Sequence, residues 1–187
     1  MNKALIIIDM QEDFVNGALG TPEAQEIVEN IVNKMKWHDN TNTVVLFTKD
    51  THYTDTYEHT QEGQKLPVPH CIKDTSGWSI VRPIHDEFKR GNYATISTDT
   101  VINGRITKPT FGSWDLVNIL SDLMVDEIEL CGVCTDICVV TNSLLLKTAF
   151  PETPIIVDAS CCAGVTPEKH AAALEVMKSC QIEVIGE

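Results

Sequence analysis

Nine residues past the middle of the 187-residue chain, Leu130-Cys131-Gly132-Val133-Cys134-Thr135-Asp136-Ile137-Cys138, run from an apolar stretch through a glycine turn into the start of a helix. The first backbone N–H groups of a helix lack intrahelical partners and carry partial positive charge, so a cysteine placed there is stabilised as thiolate. Cys138 is therefore a candidate nucleophile, although a free cysteine also serves as a small buried hydrophobe. Asp9 and Lys108 are its candidate companions. An aspartate can take the thiol proton, a lysine can lower both pKa values, and the thiolate can attack a carbonyl carbon. A second constellation, Asp50-x-His52 followed by Pro69-His70-Cys71, supplies one carboxylate and two imidazoles, a donor set suited to a divalent metal such as zinc, iron or manganese. Cys131-x-x-Cys134-x-x-x-Cys138 lacks a fourth ligand at motif spacing and reads as strand, turn and helix rather than as a metal site. Cys161, Cys162 and Cys180 read as packing residues.

The elements that must position these groups follow from the apolar pattern. Ala4–Ile8 is a continuous apolar run ending at Asp9, as in a parallel strand buried on both faces. Thr43–Thr48 forms a second strand running into Lys49-Asp50. Arg105–Lys108, Glu127–Cys131, Pro154–Asp158 and Ile182–Ile185 complete six strands. Helices are expected from Pro22, capped by Thr21, from Ser113, from Thr135 or Asp136 as caps, and from Pro167, capped by Thr166. A short helix over 79–89 would be broken by Pro83. Strands alternating with helices predict an α/β fold, a Rossmann-like three-layer sandwich with a central, mainly parallel six-stranded sheet and helices on both faces. In such sheets the strand C-termini converge, which brings Asp9, Lys108 and Cys138 together. Residues 50–77 hold His52, His59 and His70 with little periodicity, a length that marks a loop as functional.

Composition narrows the class. The length suits one domain over residues 1–187. A formal net charge of −13 excludes the basic footprint that nucleic acid or an anionic membrane requires, leaving a small neutral or cationic partner. The first apolar run is too short to span a bilayer and lacks a secretory cleavage site, so a cytoplasmic protein is expected. Seven cysteines, an odd number, then read as reduced thiols.

Ile8-Asp9-Met10-Gln11-Glu12-Asp13-Phe14, Lys108 before Pro109, and Gly132-Val133-Cys134-Thr135-Asp136-Ile137-Cys138 together resemble the isochorismatase-like cysteine hydrolase superfamily, most similarly its nicotinamidases and pyrazinamidases. The resemblance spans residues 4 to about 165. It implies a triad of Asp9, Lys108 and Cys138, in which Cys138 attacks an amide carbonyl to form a thioester while Asp9 shuttles protons and Lys108 balances charge. It also implies a cis peptide at Val133–Cys134, with the backbone N–H groups of Cys134 and Cys138 as oxyanion hole. The metal set is implied at Asp50, His52 and His70, zinc first, holding the pyridine nitrogen of an aromatic amide. Glu62 is favoured as fourth ligand because it leads into the Pro-x-Pro-His turn, with His59 as competitor. Phe14 would stack on the substrate ring, Leu66-Pro67 departs from the family's frequent Trp-Pro pair, and Trp78 reads as core. The expected activity is hydrolysis of nicotinamide to nicotinate and ammonia in NAD salvage, pyrazinamide being accepted too, by a homo-oligomer. The alternatives are a cysteine hydrolase of N-carbamoyl or ureido compounds, which would want an arginine such as Arg82 or Arg105 for a substrate carboxylate, and a non-catalytic metal- or ligand-binding module.

Overall fold

The apolar run Ala4–Ile8 lies at the centre of the sheet, each of its side chains at most 1% exposed. A run buried on both faces gains about 1.5–3 kcal/mol for each large side chain withdrawn from water, which makes this strand the anchor of the fold. The computed structural model describes residues 2–39, 41–98 and 101–187.

Among the described residues, seven strands form one sheet: β1 (Lys3–Ile8), β2 (Thr43–Asp50), β3 (Val101–Ile102), β4 (Arg105–Lys108), β5 (Glu127–Val133), β6 (Ile155–Ala163) and β7 (Glu183–Ile185). Their order is β3-β4-β2-β1-β5-β6-β7, and every pairing is parallel except β3 with β4. The three-layer α/β sandwich expected from the sequence is the one observed, with one strand more. The additional strand is a two-residue edge piece joined to β4 through Asn103-Gly104, both at positive φ. An Asn-Gly pair satisfies that requirement of a two-residue hairpin at low steric cost.

Helices cover both faces. α1 (Glu12–Val15) is a single turn after β1; α2 (Pro22–His38) packs against α4 (Arg82–Arg90) and against β5 and β6. α3 (Gln61–Lys65) lies within the long β2–β3 connection. α5 (Trp114–Leu123), α6 (Val140–Ala149) and α7 (Pro167–Ser179) form a second contiguous layer. Thr21, Ser113 and Thr166 cap their helices by accepting from Ala24, Leu116 and Lys169 N–H groups. Pro83 does not break a helix. It sits in the first turn of α4, where its missing N–H has no partner to lose. No helix among the described residues is long and apolar enough to cross a membrane.

Two strand approaches position the site. Gly132 on β5 pairs with Ile8 on β1, and a Cβ at Gly132 would lie 2.1 Å from the Ile8 carbonyl oxygen, at a φ of +119°. Only glycine allows this contact. The order of strands reverses at β1, between β2 and β5, so the C-terminal ends of β1, β2, β4 and β5 surround one crevice.

Candidate active site

Asp9 follows β1 in a left-handed conformation, φ 50°, that a non-glycine residue rarely adopts. Its side chain is fully buried, and Thr48 Oγ1 on β2 donates to Asp9 Oδ1 at 2.7 Å. Lys108, the last residue of β4, is 1% exposed; its Nζ lies 2.7 Å from Asp9 Oδ2 and 3.7 Å from Asp50 Oδ1, and donates to Cys138 Sγ at 3.5 Å. A solvated strand end is thereby ruled out for Lys108. An ammonium so deeply withdrawn from water requires compensation, which two carboxylates and a sulfur provide.

Charge follows from this arrangement. Burial alone would lower the Lys108 pKa, but Asp9, Cys138 and Asp50 outweigh it and hold the ammonium charged. Burial raises Asp9 against the pull of Lys108, and burial together with the Asp9 charge pushes the Cys138 thiol well above its ordinary value. At rest the sulfur is held as a thiol beside Asp9 and the Lys108 ammonium. Asp9 Oδ2 is the oxygen that meets the Lys108 ammonium, while Oδ1 takes the Thr48 hydroxyl.

Cys138 is not on a regular helix N-terminus. It lies in a wide π turn, Thr135–Val139, between β5 and α6. Neither expected cap acts as one: Thr135 Oγ1 bonds His170 Nδ1 at 2.8 Å, and Asp136 Oδ1 accepts from Val165 N at 2.9 Å, so both side chains fasten the turn to the β6–α7 segment instead. The Val133–Cys134 peptide just before it is cis.

Beside this trio stand Asp50, His52, Glu62 and His70, each offering one ligand atom within 4.8 Å of the others. Asp50 Oδ2 lies 3.0 Å from His52 Nε2 and 3.4 Å from His70 Nε2; the Glu62 oxygens lie 3.8 Å and 3.5 Å from the same nitrogens. Glu62 reaches them from α3, which Thr60 caps by accepting from Gly63 N at 2.9 Å. His70 Nδ1 donates to the Val68 carbonyl at 2.8 Å and meets the Tyr57 hydroxyl at 3.2 Å, which turns Nε2 toward the carboxylates. Burial lowers the His70 pKa, yet hydrogen bonds to Asp50 and Glu62 push it up to about 10. The Asp50 carboxyl is held well below the usual range: burial raises it, but bonds from the two histidines and the charge of Lys108 prevail. Two carboxylates converging on two imidazoles call for positive charge between them. Two nitrogens and two oxygens form a suitable donor set for zinc, iron or manganese.

The remaining candidates separate clearly. His59 is on the surface, 75% exposed and paired with Glu58. The Phe14 ring lies 5.4 Å from that of His70. A cleft of about 300 Å³ opens over His52, Glu62 and Phe111. Arg82 pairs with Asp86 on the exposed face of α4, and Arg105 lies against Phe47 and Phe88, neither lining that cleft. Trp78 is only partly buried, its Nε1 donating to Thr51 Oγ1 at 2.9 Å. Cys180 is exposed at the end of α7 rather than packed, since the helix has ended there.

Three contributors are not among the site residues expected from the sequence: Thr48, Gln11 and Tyr57. Gln11 Nε2 donates to the Asp50 and Trp78 carbonyls at 2.9 and 3.0 Å, and its Oε1 accepts from Asp50 N at 2.7 Å. The spacing of Gln11 two residues after Asp9 was the available clue.

The isochorismatase domain model matches residues 3–186. The chain belongs to the isochorismatase family. Within that family it is 28% identical to a nicotinamidase/pyrazinamidase of Mycobacterium tuberculosis, the match covering 98% of each protein. The crystal structure of the nicotinamidase/pyrazinamidase PncA from Bacillus subtilis superposes with a TM-score of 0.80 at 28% identity, covering 98% of this chain and 99% of that one. A pyrazinamidase of Pyrococcus horikoshii, solved in complex with zinc, superposes with a TM-score of 0.76 at 25% identity over 99% of both chains. The isochorismatase-like cysteine hydrolase resemblance seen in the three sequence motifs is therefore that of the whole chain.

Proposed function

We propose that the protein is a metal-dependent nicotinamidase that converts nicotinamide to nicotinate and ammonia, and accepts pyrazinamide. The observation that carries this reading is the contact between the two constellations: Lys108 lies within 4 Å of both Asp9 and Asp50, so the thiol and the candidate metal cluster share one crevice. An amide reaching Cys138 would have its ring beside Asp50, His52, Glu62 and His70. Asp50, His52, Glu62 and His70 would hold a divalent ion, zinc on this reading, which would supply a Lewis acid for the ring nitrogen. Phe14 stacks on the ring.

In the proposed mechanism Asp9 takes the Cys138 proton as Sγ bonds to the amide carbon, and the carbonyl π pair moves to oxygen. The N–H groups of Cys134 and Cys138 stabilise that oxyanion. As the tetrahedral adduct collapses, the C–N bond breaks and protonated Asp9 delivers its proton to the nitrogen, so that ammonia leaves a thioester. Water then attacks the thioester carbon, giving a proton to Asp9. Collapse breaks the C–S bond, the acid departs, and the proton returns to Cys138. Lys108 stays charged throughout and keeps Asp9 competent to give up its proton again.

On this reading residues 1–187 work as one hydrolase domain in the cytoplasm, in NAD salvage, as a homo-oligomer. Metal analysis and an ammonia-release assay on nicotinamide test it together. Metal-loaded protein should release one ammonia per nicotinate, and chelation should chiefly raise KM, because the ion holds the ring. Failure of the loaded protein to release ammonia from nicotinamide overturns the proposal.

A further inference from the structure

Lys49, one residue before Asp50 on β2, projects to the opposite face of the sheet, since successive strand side chains alternate. Only 6% of it is exposed, and its Nζ rests 2.9 Å from the centroid of the Trp78 ring. Among the described residues no carboxylate pairs with it. The contrast with the other enclosed lysines is sharp: Lys108 and Lys34 each meet two carboxylates.

Two more cations stand alongside, neither ion-paired with an acid among the described residues. Arg105 on β4 places its guanidinium carbon 5.2 Å from the Phe88 ring centroid and 5.8 Å from that of Phe47, and donates to the Asn103 carbonyl at 3.1 Å. Lys73 stands 5.7 Å from the Tyr53 ring. Enclosing the Lys49 ammonium beside Arg105 costs free energy that the Trp78 face, and the charge of Asp74, which makes no ion pair with it, repay only in part. An enclosed cation with no ion-paired carboxylate among the described residues, in a chain of net charge −13, is unexplained by stability alone.

Lys49, Lys73 and Arg105 line a cleft of about 550 Å³ together with Trp78, Ile102 and Asp115. Among the described lining residues, three cations against one carboxylate leave a net charge of +2. A carboxylate ligand would neutralise half of it. A phosphate monoester, carrying about −1.5 to −2 at neutral pH, matches it. Ile102, 70% exposed, and the indole edge of Trp78 offer an apolar wall that inorganic phosphate would not use.

We propose that this cleft binds a small organic phosphate monoester, the phosphate held among Lys49, Arg105 and Lys73 and the organic part against Trp78 and Ile102. The cleft is separate from the crevice of Asp9 and Cys138, which lies on the other side of β2 and β4.

The test is calorimetric titration of the metal-loaded full chain with adenosine 5′-monophosphate, inorganic phosphate and adenosine, at roughly 0.15 M salt. Tryptophan emission is followed in parallel. The nucleotide should bind saturably and change the emission, inorganic phosphate should bind more weakly, and adenosine should not bind. Arg105→Gln and the exposed Lys73→Gln should each weaken nucleotide binding about tenfold, the loss of one charge-assisted contact. Trp78→Phe should keep binding while losing the emission change. Lys73→Gln should leave ammonia release unaltered and serves should Arg105→Gln fold poorly. No saturable nucleotide binding at millimolar concentration overturns the proposal. So does binding undiminished by Lys73→Gln and Arg105→Gln, which would place the ligand at the metal cluster, and so does inorganic phosphate binding as tightly as the nucleotide.

Discussion

Gln11 and Asp50 exchange two hydrogen bonds, Asp50 N–H to Gln11 Oε1 at 2.7 Å and Gln11 Nε2 to the Asp50 carbonyl at 2.9 Å. A side chain thereby completes the β1–β2 ladder past its last backbone pair and fixes Asp50 relative to Asp9. Gln11→Leu keeps much of the volume and leaves two buried backbone groups of Asp50 unpaired, each costing about 1–3 kcal/mol. Urea unfolding should report that loss. Metal retained after dialysis should also fall, by about tenfold or more, as for other groups that orient a metal ligand. Undiminished metal affinity would show that Asp50 is held adequately without Gln11.

Cys138→Ala should abolish ammonia release while leaving metal content and nicotinamide binding nearly unchanged, because the thiol forms the bond but holds neither ion nor ring. Asp9→Asn preserves shape yet cannot carry the proton, so kcat should fall by about 10²–10⁴. Thr48→Val removes the 2.7 Å bond to Asp9 Oδ1 and the 3.3 Å bond that Thr48 Oγ1 accepts from Asp9 N, and should lower kcat modestly with KM unchanged. Steady-state assays and a binding titration separate the three. Residual turnover by Cys138→Ala would refute the thioester route.

The two candidates for fourth ligand make opposite predictions. Glu62 faces His52 and His70, whereas His59 is exposed beside Glu58. Glu62→Gln should lower metal content after dialysis and raise KM for nicotinamide. His59→Ala should change neither. The reverse pattern, read by metal analysis and initial rates, would make His59 the ligand through a rearranged loop.

Much of this was legible in the sequence, for identifiable reasons. Strands buried on both faces announce themselves as apolar runs, and the rule that sites gather at parallel strand ends is enough to bring Asp9, Lys108 and Cys138 together. The 50–77 connection was recognisable as a site but not as structure: α3 and the Tyr57–His59 turn are too short to show periodicity. β3 is announced only by the hairpin pair Asn103-Gly104, because two residues of strand give no alternation to read. Thr135 and Asp136 looked like caps since their types suit capping; their side chains instead bond to His170 and Val165, partners more than 25 positions away in the chain. Long-range polar pairing of this kind leaves no local pattern.

The same limitation hid the ion cluster between α2 and the sheet. Lys34 bonds Glu129 on β5 and lies 2.7 Å from Asp158 on β6, while His38 Nε2 lies 3.2 Å from the other Glu129 oxygen; these side chains are at most 13% exposed. Burial raises both carboxyls, but hydrogen bonds outweigh it, from His38 and Lys34 on Glu129 and from Lys34 and Ser160 on Asp158, and hold them below their ordinary values. Their contribution to stability is therefore complete above the unfolded carboxyl range, about pH 4, and is lost as pH falls through the depressed folded values. Lys34 is raised, burial being overcome by the same acids, so its contribution is complete below about pH 10 and lost only above it. Stability should fall on acidification below about pH 4 through this cluster. Lys34→Met strands two carboxylates together and should cost about 3 kcal/mol at pH 7. Protonation relieves that repulsion, so the deficit measured by urea unfolding should shrink at about pH 4. An equal deficit at both values would mean that Lys34 acts through packing of its methylenes rather than through charge.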